Sequence, residues 1–420
     1  MYGCWLSKAE GEVIKTLVRR RGGEVVDRLE DADVVVVHTC AVRGDTERRM
    51  FKRIRELEEL RKVRGYKLVI SGCLVNVRPA TISKLSPEAS LVEASRVEEM
   101  WRAIESKGRE RVIRSYSGSR SILPEYAGGV RYIVPIQTGC IGRCAFCIEP
   151  IARGPARSYP EELILERVRE AVRKGAKEVY LTGQDVACYG VDTGSSLPSL
   201  LSRILEEVDG EYFIRLGMME PSLVKEFASE LAPLYRDRRV YEYLHLPLQS
   251  GSNKVLELMR RRYTVEEYEA VVREFRRRSP EVSLATDMIV GFPGEGEREF
   301  EESMAFLEKI RPDKVHVARY TIRPFTEGSL MEQVPEPVKK RRSKSMSELA
   351  LRIAYEKNSK YVGKRLEVLV NDSGPKGGFA ARTKNYKMVI LDCPGLKLGE
   401  VVEARIVGAT PVCLLGEVVS

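Results

Sequence analysis

Apolar positions fall into three successive patterns along the chain. In the first third, Asp33–His38 and Tyr66–Ser71 are short, continuous apolar runs rich in β-branched residues, the pattern of strands buried on both faces. Around them, apolar residues recur at intervals of three and four and predict helices over Ser7–Arg20, Gly44–Lys62 and Val97–Ser106. This alternation predicts an open parallel α/β sheet over residues 1–110. Residues 111–130, polar and then glycine-containing, read as a linker. Six strand-like runs follow, at Arg131–Gln137, Lys177–Thr182, Glu211–Leu216, Tyr241–Leu246, Val282–Val290 and Lys314–Tyr320. Helical segments separate them, for example Pro160–Lys174, Ser199–Val208, Val265–Arg278 and Glu297–Lys309. Six βα units predict a partial, TIM-like (βα)6 barrel over 131–337, with active groups on the loops after the strands. A connecting helix over 338–360 opens on Lys339-Lys340-Arg341-Arg342, a charge run that reads as a solvated face. From 361 to 420 the runs are short and β-rich (Leu366–Val370, Lys387–Leu391, Val401–Val407), which predicts a small OB-like β-barrel. The fold class is α/β throughout the first two parts.

Composition narrows the setting. With 43% hydrophobic and 31% charged residues the chain is globular, and no apolar run approaches a membrane span. Met1–Glu10 has no leader-like apolar core, so the expected location is cytoplasmic, with no membrane partner. There thiols stay reduced, and clustered cysteines are used for metals. A net charge of +9 favours a polyanionic partner over the alternative of a merely charge-rich, thermophile-like surface.

The cysteines carry the chemistry. Cys140, Cys144 and Cys147 stand at C-x₃-C-x₂-C spacing just past the first strand of the central part. Three soft thiolates suit three irons of a [4Fe–4S] cube and leave one iron without a protein ligand. A zinc knuckle needs a fourth ligand, and no further cysteine or histidine lies nearby in sequence. With Phe146 before Cys147, the motif resembles that of the radical S-adenosylmethionine (SAM) superfamily, which implies that the open iron is chelated by SAM.

Three more cysteines occupy equivalent places. Cys40 and Cys73 each follow a strand at the rim where ligands collect in open parallel sheets, and Cys4 likewise precedes a helix. Tyr2-Gly3-Cys4, Thr39-Cys40-Ala41-Val42-Arg43 and Ser71-Gly72-Cys73-Leu74 resemble the cysteine motifs of the methylthiotransferases, which implies a second, auxiliary [4Fe–4S] cluster. Two departures stand out: His38 replaces the usual asparagine, and only three residues precede Cys4, so the family's first strand would be missing or lie upstream of Met1.

The resemblance continues in the family's domain order. It implies SAM contacts at Phe146, Gly183, Gln184, Asp185 and Gly291. His245–Ser252 and Arg215–Pro221 are typical of methylthiotransferases, whereas Arg323-Pro324-Phe325-Thr326 lacks the usual glycine after proline. The tail resembles the RNA-binding TRAM domain. Its Arg382, Lys384, Tyr386 and Lys387 interleave cations with an aromatic ring, a mix that suits phosphate and stacked bases. Cys188 reads as structural, Cys393 and Cys413 as core residues of the small barrel, and His245 and His316 as satisfied rim or core histidines rather than bases.

The implied activity is a radical-SAM tRNA methylthiotransferase. A 5′-deoxyadenosyl radical would take hydrogen from C2 of an adenine beside the anticodon, and a sulfur held and methylated at the auxiliary cluster would be transferred there. Thr383-Lys384-Asn385-Tyr386 and Arg153-Gly154 resemble the archaeal–eukaryotic branch, whose substrate is N6-threonylcarbamoyladenosine in tRNA. An electron donor, protein or small molecule, and a sulfur donor are implied partners. The alternatives are an isopentenyladenosine tRNA substrate, a ribosomal-protein aspartate, or a non-catalytic, metal-stabilised RNA-binding protein.

Overall fold

The structure is a computed structural model that describes residues 3–42, 44–118, 120–374 and 377–419. Tyr2 and Arg43 of the cysteine motifs lie outside the described residues.

Val34–Thr39 pairs in parallel with Lys67–Gly72, which pairs with Ser90–Val92 and then with Arg111–Val112. Side chains alternate between two cores. Val35, Val37, Leu68 and Ile70 join Met50, Ile54 and Leu57 of the helix Gly44–Arg64. Val34, Val36 and Val69 meet Val13, Ile14 and Leu17 of the helix Trp5–Arg20. Both faces being covered explains the unbroken β-branched runs.

The segment expected to be a linker is instead fastened to this layer. Arg111–Val112 supplies its fourth strand. Beyond it, Glu93 accepts from the backbone N–H groups of Ser115 and Tyr116, and Glu98 from those of Ser121 and Ile122.

The central part is a six-stranded half-barrel. Arg131–Pro135, Glu178–Thr182 and Phe213–Leu216 form one parallel sheet; Tyr243–His245, Ser283–Val290 and Lys314–Arg319 form another. Backbone hydrogen bonds from Ile214 to Arg239 (2.6 Å) and from Tyr241 to Ile214 (2.9 Å) join them. Apolar positions such as Val179, Leu181, Ile214 and Leu244 face the surrounding helices. The alternate positions, among them Tyr180, Arg215 and Tyr243, face the lumen and meet one another there.

The helix Glu336–Ser359 leads to a closed five-stranded barrel of Arg365–Ser373, Phe379–Thr383, Met388–Leu391, Val401–Ala409 and Leu414–Val418. Cys393 and Cys413 are half-buried there rather than in its core. The Lys339–Arg342 run is not simply solvated: Lys339 and Arg342 are buried, and Arg342 pairs with Glu295 at 2.8 Å. Among the described residues no helix is long and apolar enough to cross a membrane.

Candidate metal centres and their surroundings

Each sulfur of the central cysteine loop receives an N–H. Cys140 Sγ accepts from the Gly142 backbone at 3.2 Å, Cys147 Sγ from the Glu149 backbone at 3.5 Å, and Cys144 Sγ from the Arg261 guanidinium at 3.3 Å. Donors of this kind stabilise thiolates. Arg261, half-buried and paired with Glu220 at 3.3 Å, was not singled out in the sequence, where it is one of three successive arginines. Burial pushes the Cys147 thiol well up, so ionising it calls for an adjacent cation, which a cluster iron supplies. Hydrogen bonding from Cys188 lowers Cys140. Cys188, read as merely structural, thus sits against the loop, and its thiol also donates to Asp185 at 3.2 Å.

The five residues expected at SAM lie around this loop. Gln184 accepts from the Gly139 N–H at 2.8 Å, and Gly183 lies directly over Gln137. Phe146 packs edge-on against Phe292, next to Gly291. The Asp185 carboxylate is committed elsewhere: it accepts from the Ala187 and Glu220 N–H groups at 3.1 and 2.9 Å, and burial raises it to about 6. It joins two rim loops. Gly291 has φ +71°, and a Cβ there would fall 2.4 Å from Lys339 Cγ. Gly291→Ala is therefore expected to cost about 1–3 kcal/mol in stability and to weaken SAM binding, read by thermal melting and calorimetric titration.

The N-terminal cysteines converge on one rim. Thr39 and Gly72 are paired in register, so Cys40 and Cys73 leave neighbouring strands at the same level. Gly72 is required here, because a Cβ would lie 2.3 Å from the Thr39 carbonyl oxygen and φ is +96°. A Cβ on Gly3, beside Cys4, would lie 3.4 Å from Cys40 Cβ, and Cys4 is close enough to act electrostatically on Cys40. All six cysteines are free thiols.

One short helix joins the two sets. Glu149–Arg153 begins just after Cys147, and at its end Arg153 Nε donates to Cys73 Sγ at 3.0 Å. Five residues at about 1.5 Å each span only some 7–8 Å. Asn76, on the helix that starts at Cys73, donates to the Ala152 carbonyl at 3.1 Å and locks the two helices together. Arg153 also pairs with Glu10, whose other oxygen meets His38 Nε2 at 2.9 Å, and all three side chains are about 1–2% exposed. His38 thus occupies its unusual place as the partner of a buried acid.

His245 Nε2 meets Asp287 at 2.7 Å, and its ring lies 5.7 Å from that of His316. Both histidines sit on the lumen rim, as expected of partnered residues.

The cations of the TRAM-like loop are engaged within the chain. Lys384 Nζ donates to the carbonyls of Asp237 (2.7 Å) and Val240, and Lys387 Nζ reaches Asp313 and Asn358 at 2.8 and 2.9 Å. Tyr386 shares a 2.5 Å hydrogen bond with Tyr180, and Arg382 stacks on the Tyr386 ring at 4.6 Å. These residues seat the small barrel on the N-terminal ends of the half-barrel strands and plug its floor; they are not a free RNA face. The mix of cations and an aromatic that suits RNA suits carbonyls and tyrosine faces equally well. Lys384→Ala is expected to speed hydrogen exchange across 383–387 and to leave the salt slope of tRNA binding unchanged, since this ammonium releases no phosphate counterion.

Comparisons with known proteins agree with this arrangement. Residues 134–307 match the Radical SAM superfamily, 1–93 the Uncharacterized protein family UPF0004, and 359–419 the TRAM domain. The chain is 40% identical over its whole length to the "Probable threonylcarbamoyladenosine tRNA methylthiotransferase" of Pyrococcus horikoshii, covering 98% of that protein. It is 32% identical, again over its whole length and 98% of the relative, to the "tRNA-2-methylthio-N(6)-dimethylallyladenosine synthase" of Fusobacterium nucleatum. Among solved structures, the radical SAM methyltransferase TsrM of Kitasatospora setae shares the fold, with a TM-score of 0.57 at 16% identity over 76% of this chain and 73% of that one.

Proposed function

The chain belongs to the radical SAM tRNA methylthiotransferases, and from that premise we propose that it installs a methylthio group at C2 of N6-threonylcarbamoyladenosine in tRNA. One observation carries the reading: two free-thiol triplets, one on each domain, are joined by the single short helix Glu149–Arg153. Two metal sites so closely coupled suit a reaction that generates a radical at one and delivers sulfur from the other.

Both triplets fit [4Fe–4S] clusters by their donor sets. Cys140, Cys144 and Cys147 would hold the SAM-binding cluster, with N–H groups on each sulfur. Cys4, Cys40 and Cys73 would hold the auxiliary one. Burial pushes Cys73 well up, and Arg153 beside it works in the opposite sense, toward the thiolate. When bound, the clusters and SAM supply a 5′-deoxyadenosyl radical and a methylated sulfur.

The rest belongs to the chain. Gly183 and Gly291 let the rim loops pack closely on Gln137 and Lys339, while Asp185 fixes the loop that carries Gln184. Arg261 and Arg153 place a cation on one sulfur of each set. Tyr386, hydrogen-bonded to Tyr180, covers part of the floor of the lumen opposite the cysteine rim.

The test is anaerobic reconstitution, an iron count per chain and nucleoside mass spectrometry on incubated tRNA. About eight irons with a methylthio-threonylcarbamoyl nucleoside is the expected result. About four irons, with SAM cleavage and no modified nucleoside, would remove the N-terminal site from the scheme. A methylthio-isopentenyl product instead would assign the substrate of the Fusobacterium relative.

A further inference from the structure

Four arginines of the described chain are buried: Arg153, Arg215, Arg323 and Arg342. Three of them pair with a carboxylate, namely Glu10, Glu47 and Glu295. Arg215 is the exception. It is 7% exposed, no acid pairs with it among the described residues, and its Nε has no hydrogen-bond partner. Its guanidinium lies among three tyrosine rings, 4.9 Å from the centroid of Tyr243 and 5.3 Å from those of Tyr180 and Tyr386. Buried charges are ordinarily paired, because desolvation without a counter-charge is costly.

More positive charge gathers at the same place. Arg382 stacks on Tyr386 from the small barrel. Lys314, at an exposed position on the edge of the floor, is pushed down by partial desolvation and then by Arg382 and Arg215, so both arginines act on it. The acid acting on Lys314 is Asp287, and it is shared with His245. Arg131, 4.9 Å from the Tyr180 centroid, is matched by Glu178 at 2.9 Å; Arg215, Lys314 and Arg382 have in common only the Asp287 carboxylate that His245 also uses.

We propose that this floor is a carboxylate-binding subsite, in which Arg215, helped by Lys314 and Arg382, receives the carboxylate of the substrate's N6-threonylcarbamoyl group. The proposal rests on the function proposed above and deepens it. An anion brought by the substrate supplies the counter-charge that Arg215 lacks. The small barrel then serves recognition directly, since Tyr386 and Arg382 belong to the subsite.

SAM also carries a carboxylate, and the test separates the two sources. Reconstituted full-length enzyme would be assayed on tRNA bearing threonylcarbamoyladenosine, with the free acid or its methyl ester, and SAM binding would be measured by calorimetry. For the native chain, kcat/KM is expected to fall on the order of a hundredfold on esterification. In Arg215→Leu the KM for the acid substrate should rise by a similar factor, the ester should no longer be discriminated against, and SAM affinity should hold; Arg215→Lys should recover part of the loss. Lys314→Met, at an exposed position, gives the same direction with a smaller change should Arg215→Leu not fold. Equal use of acid and ester by the native chain would overturn the subsite while leaving the proposed activity standing. Loss of SAM affinity in Arg215→Leu would assign the carboxylate to SAM and likewise overturn it. A native enzyme that modifies neither form would fail the proposed function itself.

Discussion

Cys144→Ala is expected to abolish SAM cleavage, whereas Cys40→Ala should keep cleavage and lose methylthiolation. The two residues differ in what surrounds them. Cys144 lies in the central loop with Arg261 on its sulfur, and Cys40 lies on the N-terminal rim beside Cys73 and Gly3. Each loss should lower the iron count of the reconstituted chain by about four. The readouts are 5′-deoxyadenosine formation under reducing conditions and nucleoside mass spectrometry on the same samples. Loss of cleavage in both variants would end the division of labour between the two sets.

The second large effect concerns Arg153. Removing one member of a buried ion pair costs about 3–5 kcal/mol, because the other charge is left without a partner. Arg153→Ala should therefore destabilise the protein by that order in denaturant unfolding and lower iron retention at the N-terminal site. The double variant Arg153→Met, Glu10→Leu should recover much of the stability but not the iron. Acid sensitivity follows from the same pair. Burial by itself would raise Glu10, yet Arg153 and His38 hold it at about 2 against its ordinary 4.5. Its contribution is thus complete above pH 4.5 and drains away as the pH falls toward 2, a window that should shrink in the double variant.

Both cysteine sets could be read from the sequence because ligation depends on local things: spacing in one loop, and position after a strand. The six central strands were legible for a similar reason, since outward positions meet helices and are uniformly apolar. What escaped notice is held together across the chain. Glu10 lies 28 residues from His38 and 143 from Arg153, and on a helix it looks like any solvated acid. Lys384 and Lys387 meet protein acceptors that were not legible, because composition says which chemistry a loop can do, not which partner it finds. The strands Phe379–Thr383 and Leu414–Val418 became definite only when the barrel closed around them.

The helix Glu149–Arg153 also sets an order of assembly. Glu10, His38 and the three N-terminal cysteines leave the ribosome long before Arg153 does, so the first domain emerges with a buried acid that has no arginine to face. Its rim becomes complete only when the chain has passed the central cysteine loop. On the proposed reading, iron–sulfur insertion at the N-terminal site is expected of the finished protein, because a fragment ending near residue 110 would carry the three cysteines without Arg153 beside Cys73 and Glu10.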